Sequence, residues 1–344
     1  MFTTAPAPHV VAKNSVARVM GWVLVALVPA IIAHVAFFGI GLLVQIVIGV
    51  LTALAAEAIA LRLRRKPLRT FLTDGSAIIT AVLLALCLPP LAPWWLVVSG
   101  AAFAILLAKH LYGGLGANPF NPAMVGYAVL LVSFPARLLR WLPPDVAGLD
   151  QVAFSVGETL TTILTGQLPD RFTWDAITSP TPLEALRTGI ALGQTMEEAR
   201  ASPIFGAFGG RGWIWINGAI LAGGLWLLAL RIVRWHIPVA MLGALALCAG
   251  VMYAVDPGTY AGPAFHLTAG ASLLGAFFIA TDPVSAATSD RGRLIYGAGI
   301  GTITYIIRTW GGYPDGVAFA VLLMNLAVPL IDRYTVPRIY GHAR

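Results

Sequence analysis

The chain has 344 residues, 58% of them hydrophobic and 11% charged, with a mean hydropathy of +0.82. A soluble domain of this length cannot hide so much apolar surface in one core, so lipid must act as solvent. The formal charge of +7 does not indicate nucleic acid, because the basic residues lie between hydrophobic segments and form no exposed stripe; they read as topology-setting loop charges. The two cysteines, Cys87 and Cys248, stand alone in apolar runs. That excludes a Cys-ligated iron–sulfur cluster, a CxxC zinc site and a disulfide framework.

The N-terminus does not read as a secretory signal. After Lys13 and Arg18 the apolar run continues from Val19 to Ile40, longer than a signal core, and a second run begins at once. Uncharged runs fall near 19–40, 41–56, 75–108, 119–136, 212–230, 237–255, 257–281, 294–307 and 316–331. A spanning helix needs roughly 20 apolar residues, and most of these runs come near that length. The run 75–108 is too long for one span, and Pro89, Pro90 and Pro93 divide it in two. The expectation is an all-α polytopic membrane protein of about ten transmembrane helices.

Orientation follows from the Lys/Arg bias. The cluster Arg62, Arg64, Arg65, Lys66 and Arg69 places the end of helix 2 in the cytoplasm. Lys109, Arg231 with Arg234, Arg291 with Arg293, and Arg333 with Arg338 then fall on the same side, with both termini cytoplasmic. Arg137, Arg140, Arg211 and Arg308 fall at outer helix ends, where a long side chain reaches the interface. Residues 141–210 depart from the pattern. They carry Asp145, Asp150, Glu158, Asp170, Asp175, Glu184, Glu197 and Glu198 against only Arg171, Arg187 and Arg200. Such an acidic insert belongs on the periplasmic face, and its length calls for a local fold or a function of its own. The organisation expected is an N-terminal transmembrane half (1–140), the insert (141–210) and a C-terminal transmembrane half (211–344).

The halves resemble each other. Thr73-Asp74-Gly75-Ser76-Ala77 opens the third helix and Thr268-Ala269-Gly270-Ala271-Ser272 the eighth; the stretch from Gly116 to Pro135 parallels that from Gly311 to Pro329. Five helices separate the members of each pair, so they start on opposite faces, the pattern of an inverted five-plus-five repeat.

Three groups of residues have chemical potential. Asn118 and Asn121, in Asn-Pro-Phe-Asn-Pro behind Gly113, Gly114 and Gly116, combine amides with close backbone approach, which suits a flat polar-edged ligand; Asn121 followed by Pro122 is equally a helix cap. Of the intramembrane ionisable residues His34, Glu57, Asp74 and Asp282, the two aspartates stand at helix starts where the dipole favours them, and Glu57 lies within two turns of the cytoplasmic end, within snorkelling reach. In the insert, Asp175-Ala176-Ile177-Thr178-Ser179-Pro180-Thr181-Pro182 reads as turns followed by a helix start, with Glu184 at the capping-box position. The insert has no histidine, so a hydroxyl there suits an attachment point better than a base-activated nucleophile.

With these residues in view, the stretches KHLYGGLGANPFNPAMVGY, TDGSAIITAVLLALCLPP, FFIATDPVSA and IIRTWGGYPDGVAFAVLLMN resemble the family of the D subunit of the Rnf ion-translocating electron-transport complex. That family is related to the B subunit of the sodium-pumping NADH:quinone reductase. The resemblance runs from Val19 to about Asp332. It implies an inner-membrane flavoprotein with FMN joined through its phosphate to a threonine, attached by a flavin transferase that recognises Asp-x-x-(Ser/Thr)-Gly-Ala-Thr. Asp175, Thr178 and Thr181 fall on the aspartate, first hydroxyl and acceptor threonine, while Ser179-Pro180 replaces Gly-Ala. It also implies a non-covalent riboflavin near Asn118, Asn121, Pro122 and Ala123. By the topology read above, Arg308, Thr309, Tyr313 and Asp315 at the outer end of helices 9 and 10 would lie on the same face as the covalent flavin and help cradle it. The implied role is a subunit of a redox-driven translocase moving Na+ or H+, without a nicotinamide site of its own. Its implied partners are iron–sulfur and flavin subunits of the complex and the lipid bilayer. A solute channel or transporter, and a structural anchor, are the competing readings of an inverted-repeat chain.

Overall fold

Long runs of Leu, Val, Ile and Ala have one low-energy form in lipid, the α-helix, which satisfies every backbone donor and acceptor internally. A computed structural model describes residues 15–147, 149 and 152–336; Lys13, Asp150 and Arg338 lie outside the described residues. Among those described, the chain is helical with no strand, only one isolated bridge between Phe205 and Gly210. Helix α1 (Val16–Phe38) starts on Ser15, whose hydroxyl accepts from the Arg18 N–H, and stops at Gly39 with φ +79°. Helix α2 (Gly41–Leu63) follows at once. A short α3 (Leu68–Leu72) and α4 (Ser76–Leu86) are parted by the left-handed Gly75, φ +81°. The proline cluster then ends the run, as its sequence predicts, and the side-chain amide of Gln45 donates to the freed Ala92 carbonyl. Helix α5 (Trp94–Phe103) continues as a π-helical stretch, Ala104–His110. Helix α6 (Pro122–Ser133) and a turn, α7 (Pro135–Leu138), close the first half.

The second half holds α12 (Trp213–Ala229), α13 (His236–Val255), α14 (Pro263–Thr268), α15 (Ser272–Leu274) with a π-helical extension Gly275–Ile279, α16 (Asp290–Trp310) and α17 (Val317–Thr335). Between the halves lie α8 (Val156–Thr165), α9 (Trp174–Ile177), α10 (Pro182–Ala191) and α11 (Met196–Arg200). Helices α1, α2, α13 and α17 and the combined Leu68–Leu86 segment are long and apolar enough to cross a membrane, and α6, α12 and Trp94–His110 are shorter apolar helices. Their outward side chains, such as Ile32, Leu51, Leu247 and Leu326, are exposed as only a lipid-facing surface tolerates. The protein is a polytopic membrane protein.

One sequence expectation needs correcting. The run 257–281 is not a single helix opened by Thr268–Ser272; that pentad is a break inside it. Gly270, φ +61°, turns the chain left-handed, and side chains meet the freed backbone. Arg308 Nη1 donates to the His266 carbonyl at 2.9 Å and Nη2 to Ala269 at 3.3 Å, while Asp315 Oδ2 accepts from the Ala271 N–H at 2.7 Å. The break makes the internal repeat sharper. Residues 68 and 263 open the two short leading helices, 75 and 270 are the left-handed glycines, and 121 and 316 are the N-caps of α6 and α17. All three pairs have the same spacing. Packing repeats as well: α2 lies on α4 and α5 as α13 lies on the α15 extension and α16, while α1 meets α12 and α6 meets α17 across the halves. Small residues permit the close approach. A side chain at Gly297 or Gly301 of α16 would run into the α13 backbone at Ile237 and Met241.

The insert packs over one end of this bundle. Leu183, Leu186, Met196, Ala199 and Phe205 form a small core with Ala261, Phe265 and Ala269. Capping boxes at Ser155–Glu158 and Thr195–Glu198 start α8 and α11.

Candidate functional site

Two cavities open at opposite ends of the same helices. The first, at the insert end, and the second each have a cavity volume of about 140 Å³. Along α1 the second is lined by Val19 and Val23 and the first by His34, so Val23 and His34 are separated by roughly 16 Å of helical rise. On α6 the two nearly touch, because Ala123 lines one and Met124 the other. Between them stand Leu83, Leu86, Met124, Phe277, Phe278 and Ile279, all buried apolar side chains.

The insert-end cavity is walled by Trp141, Trp213, Tyr127 and Cys87, with Asn217, Asp315 and Thr181 as polar points. Trp141 and Trp213 meet edge-on, centroids 5.0 Å apart. Thr181 reaches the cavity because it is the N-cap of α10: its hydroxyl accepts from the Glu184 N–H at 3.3 Å, and Pro182 begins the helix. The preceding loop is pinned by the Ser179 N–H, which donates to the Trp141 carbonyl at 2.9 Å. Thr178 Oγ1 donates back to the Trp174 carbonyl at 2.8 Å, and Asp175 is exposed on α9; neither lines the cavity. Burial pushes the Glu184 carboxyl above the usual carboxylate range, opposed by the Thr181 backbone N–H and by Arg187.

Arg308 stands behind this cavity and not in its wall. Its side chain is buried and fully engaged, with Nε and Nη2 donating to Asp315 Oδ1 at 3.1 and 3.0 Å besides the two carbonyls of the break. Asp315 is what reaches the cavity, while Tyr313 packs against Phe319.

At the opposite end, Asn118 and Asn121 line the second cavity together with Lys109, Ser76, Thr80, Thr281 and Asp282. The two amides differ. Asn121 is spent on structure: its Oδ1 accepts from the Met124 N–H at 3.2 Å and its Nδ2 donates to the Ile279 carbonyl at 3.1 Å, while Asn325 Oδ1 accepts from the Asn121 N–H at 3.1 Å. Asn118 Nδ2 donates to the Phe120 carbonyl at 3.0 Å, but its buried Oδ1 has no partner. Lys109 is no loop charge, nor does Glu57 snorkel. Both are 1% exposed and ion-paired, with Lys109 Nζ also donating to Ser76 Oγ at 2.7 Å and His110 Nε2 lying 3.3 Å from Glu57 Oε1. Ser76 Oγ in turn donates to Asp74 Oδ1 at 2.5 Å. The only sequence signal for Asn217, Asn325 and Lys109 is a single polar residue within or ending an apolar run.

Among the described residues no group of three His, Cys, Asp or Glu side chains gathers as a metal site. The fit to a flat conjugated ring is better. Each cavity is mostly apolar, has aromatic walls and offers a few polar atoms, and one has a hydroxyl at a helix N-terminus.

Residues 3–341 match the model of the NQR2, RnfD, RnfE family. A protein of Vibrio cholerae, named as the D subunit of an ion-translocating oxidoreductase complex, is 52% identical over 348 residues, covering 99% of both chains. Proteins of the same name from Escherichia fergusonii and Pectobacterium atrosepticum are each 50% identical, over 353 and 351 residues, covering 100% of this chain and 99% of theirs.

Proposed function

The chain belongs to the NQR2, RnfD, RnfE family as a membrane subunit of an ion-translocating oxidoreductase complex, and on that premise we propose that it carries electrons through two flavins. One is FMN esterified to Thr181 in the insert-end cavity; the other is riboflavin in the cavity of Asn118. Electron passage between them is coupled to Na+ or H+ movement by the complex. The insert faces the periplasm, both termini face the cytoplasm, and the membrane is the bacterial inner membrane. Iron–sulfur and flavin subunits deliver and accept the electrons.

The observation that carries this reading is the position of Thr181. Of the pattern residues Asp175, Thr178 and Thr181, only the last lines the insert-end cavity. An ester there would keep its bridging oxygen at the N-terminus of the ten-residue α10, where the helix dipole favours a phosphodiester. A bound flavin supplies one- and two-electron exchange. Trp141, Trp213 and Tyr127 keep water from the ring. In the second cavity Asn118 Oδ1, which has no partner, and Lys109 would hold the polar edge of a ring. The Leu83–Leu86–Met124–Ile279 layer stays dry, so electrons cross where ions do not. Asp175 and Thr178 serve recognition by the flavin transferase and not the cavity.

In-gel fluorescence of the denatured protein, expressed with the flavin transferase, tests the reading. A glowing wild-type band and a dark Thr181→Ala band are expected. A dark wild-type band sinks the flavin reading and favours a transporter; a glowing Thr181→Ala band moves the acceptor elsewhere.

A further inference from the structure

His34 is the one buried histidine of α1. It is 2% exposed, and neither ring nitrogen has a hydrogen-bond partner. Its ring packs in an aromatic cluster, 4.9 Å from the Phe38 centroid and 6.2 Å from Trp141, and lines the same cavity as Thr181. Packing alone does not explain an imidazole here. A phenyl ring fills such a cluster without stranding a polar N–H, and a buried donor without an acceptor is disfavoured. Of the polar groups that share its cavity, Asn217, Asp315 and Thr181 are engaged elsewhere, and neither the Tyr127 hydroxyl nor the Cys87 thiol bonds the imidazole. Asn217 Nδ2 donates to the Thr268 carbonyl at 2.8 Å, Asp315 accepts from Arg308 and Ala271, and Thr181 caps α10. The free donor therefore points to an acceptor that enters the cavity.

We infer that His34 donates a hydrogen bond to the polar edge of the conjugated ring held in the insert-end cavity. The inference rests on the proposed attachment at Thr181 and adds a ring-binding residue to it. The bond strengthens as the ring takes up an electron and its heteroatoms gain negative charge, because hydrogen bonds to charged acceptors are roughly twice as strong. No proton is transferred; the imidazole keeps its N–H, and the electron comes from the redox partners of the complex. His34 thus sets how readily this ring is reduced.

The test uses the whole purified complex carrying the wild-type chain, His34→Phe, His34→Leu or His34→Gln. In-gel fluorescence first establishes that the covalent flavin is present in each, since the attachment loop is unchanged. The midpoint potential of that flavin is then read by spectroelectrochemical titration, as the difference from a Thr181→Ala complex. His34→Phe keeps the ring packing and loses the donor, and is expected to disfavour one-electron reduction about tenfold, a fall of about 59 mV. His34→Leu should shift in the same direction, and His34→Gln, which keeps an N–H, should stay near wild type. Equal potentials in wild type and His34→Phe, with flavin present in both, overturn the inference. So does a His34→Gln shift as large as that of His34→Phe, which marks a packing effect. A wild-type band without fluorescence fails at the earlier step, the attachment itself.

Discussion

Removing either partner of the Glu57–Lys109 pair should destabilise the protein far more than removing both. Both side chains are 1% exposed within the helix bundle, and an ion left alone at such a site costs about 3–5 kcal/mol. The neighbours decide how the loss divides. In Lys109→Met, Glu57 keeps His110 Nε2 at 3.3 Å, so the loss belongs near the lower limit. In Glu57→Leu, Lys109 keeps only the neutral Ser76 hydroxyl at 2.7 Å, which puts the loss near the upper limit. The double variant replaces the pair with apolar groups of similar volume, and such replacements are often neutral. Unfolding of the purified protein in mixed micelles, titrated with SDS and followed by tryptophan fluorescence, gives the four corners of the cycle. The two single losses then sum to about 8 kcal/mol against little for the double variant, so a coupling well above the roughly 0.5–3 kcal/mol usual for contacting residues is expected. Single variants each within about 0.5 kcal/mol of wild type, the usual range for surface substitutions, would refute the burial argument.

Gly270→Ala should lose stability and, under the proposed function, flavin occupancy, because an added Cβ meets Asp315, Leu183 and Arg308 at φ +61°. Gly39→Ala at φ +79°, ψ −176° meets nothing within 4 Å, so it should show only the backbone strain of that glycine-specific conformation, roughly 1–3 kcal/mol; the same SDS titration compares them. In the insert, hydrogen bonds from Arg171 and from the Ser155 backbone and hydroxyl hold the Glu158 carboxyl down at about 2. A carboxyl depressed on folding stabilises the fold above its unfolded value, 4.5, and loses that contribution as pH falls from there toward about 2. Amide exchange in α8 should accordingly speed up across that window after correction for intrinsic rates, and Glu158→Gln should abolish the pH dependence.

Sequence patterning made the helices legible because lipid leaves one solution for a long apolar run. Pro89, Pro90 and Pro93 marked a break, since proline removes the donor a helix needs. Gly270 marked another that was harder to see: nothing local distinguishes a left-handed glycine from the many glycines that only permit close packing. The partner that makes the break tolerable, Arg308, lies 38 positions along the chain and reads from sequence as an interfacial charge. Lys109 was masked in the same way. At the end of an apolar run it looks like a loop cation, and only the return of α2 beside the π-helical Ala104–His110 stretch brings Glu57 against it. The candidate residues Thr181, Asn118 and Asn121 were visible as motif members, but their division of labour was not. Asn121 spends its amide on Met124 and Ile279 while Asn118 keeps a free Oδ1, and that difference depends on contacts across the halves.

Each end of the bundle has a left-handed glycine between two helical pieces: at Gly270 the freed backbone is met by Arg308, paired with Asp315, and at Gly75 Asp74 accepts from the Ser76 N–H while Lys109, paired with Glu57, donates to the Ser76 hydroxyl. These cations do not occupy equivalent positions, since the counterpart of Lys109 at the common spacing is Thr304. The shared requirement is physical: a broken helix in lipid exposes backbone that a neighbour must satisfy. The chemistry that answers it differs. A guanidinium stays charged and spans two carbonyls and a carboxylate at once, fixing the insert-end hinge rigidly. At the other hinge an ammonium donates to a hydroxyl and a carboxylate as a point charge and not as a planar fork. The ends therefore share a frame but differ in what closes them: the end covered by the insert is held by a fork of hydrogen bonds and suits a tethered ligand, whereas the other end sets a buried ammonium against its cavity.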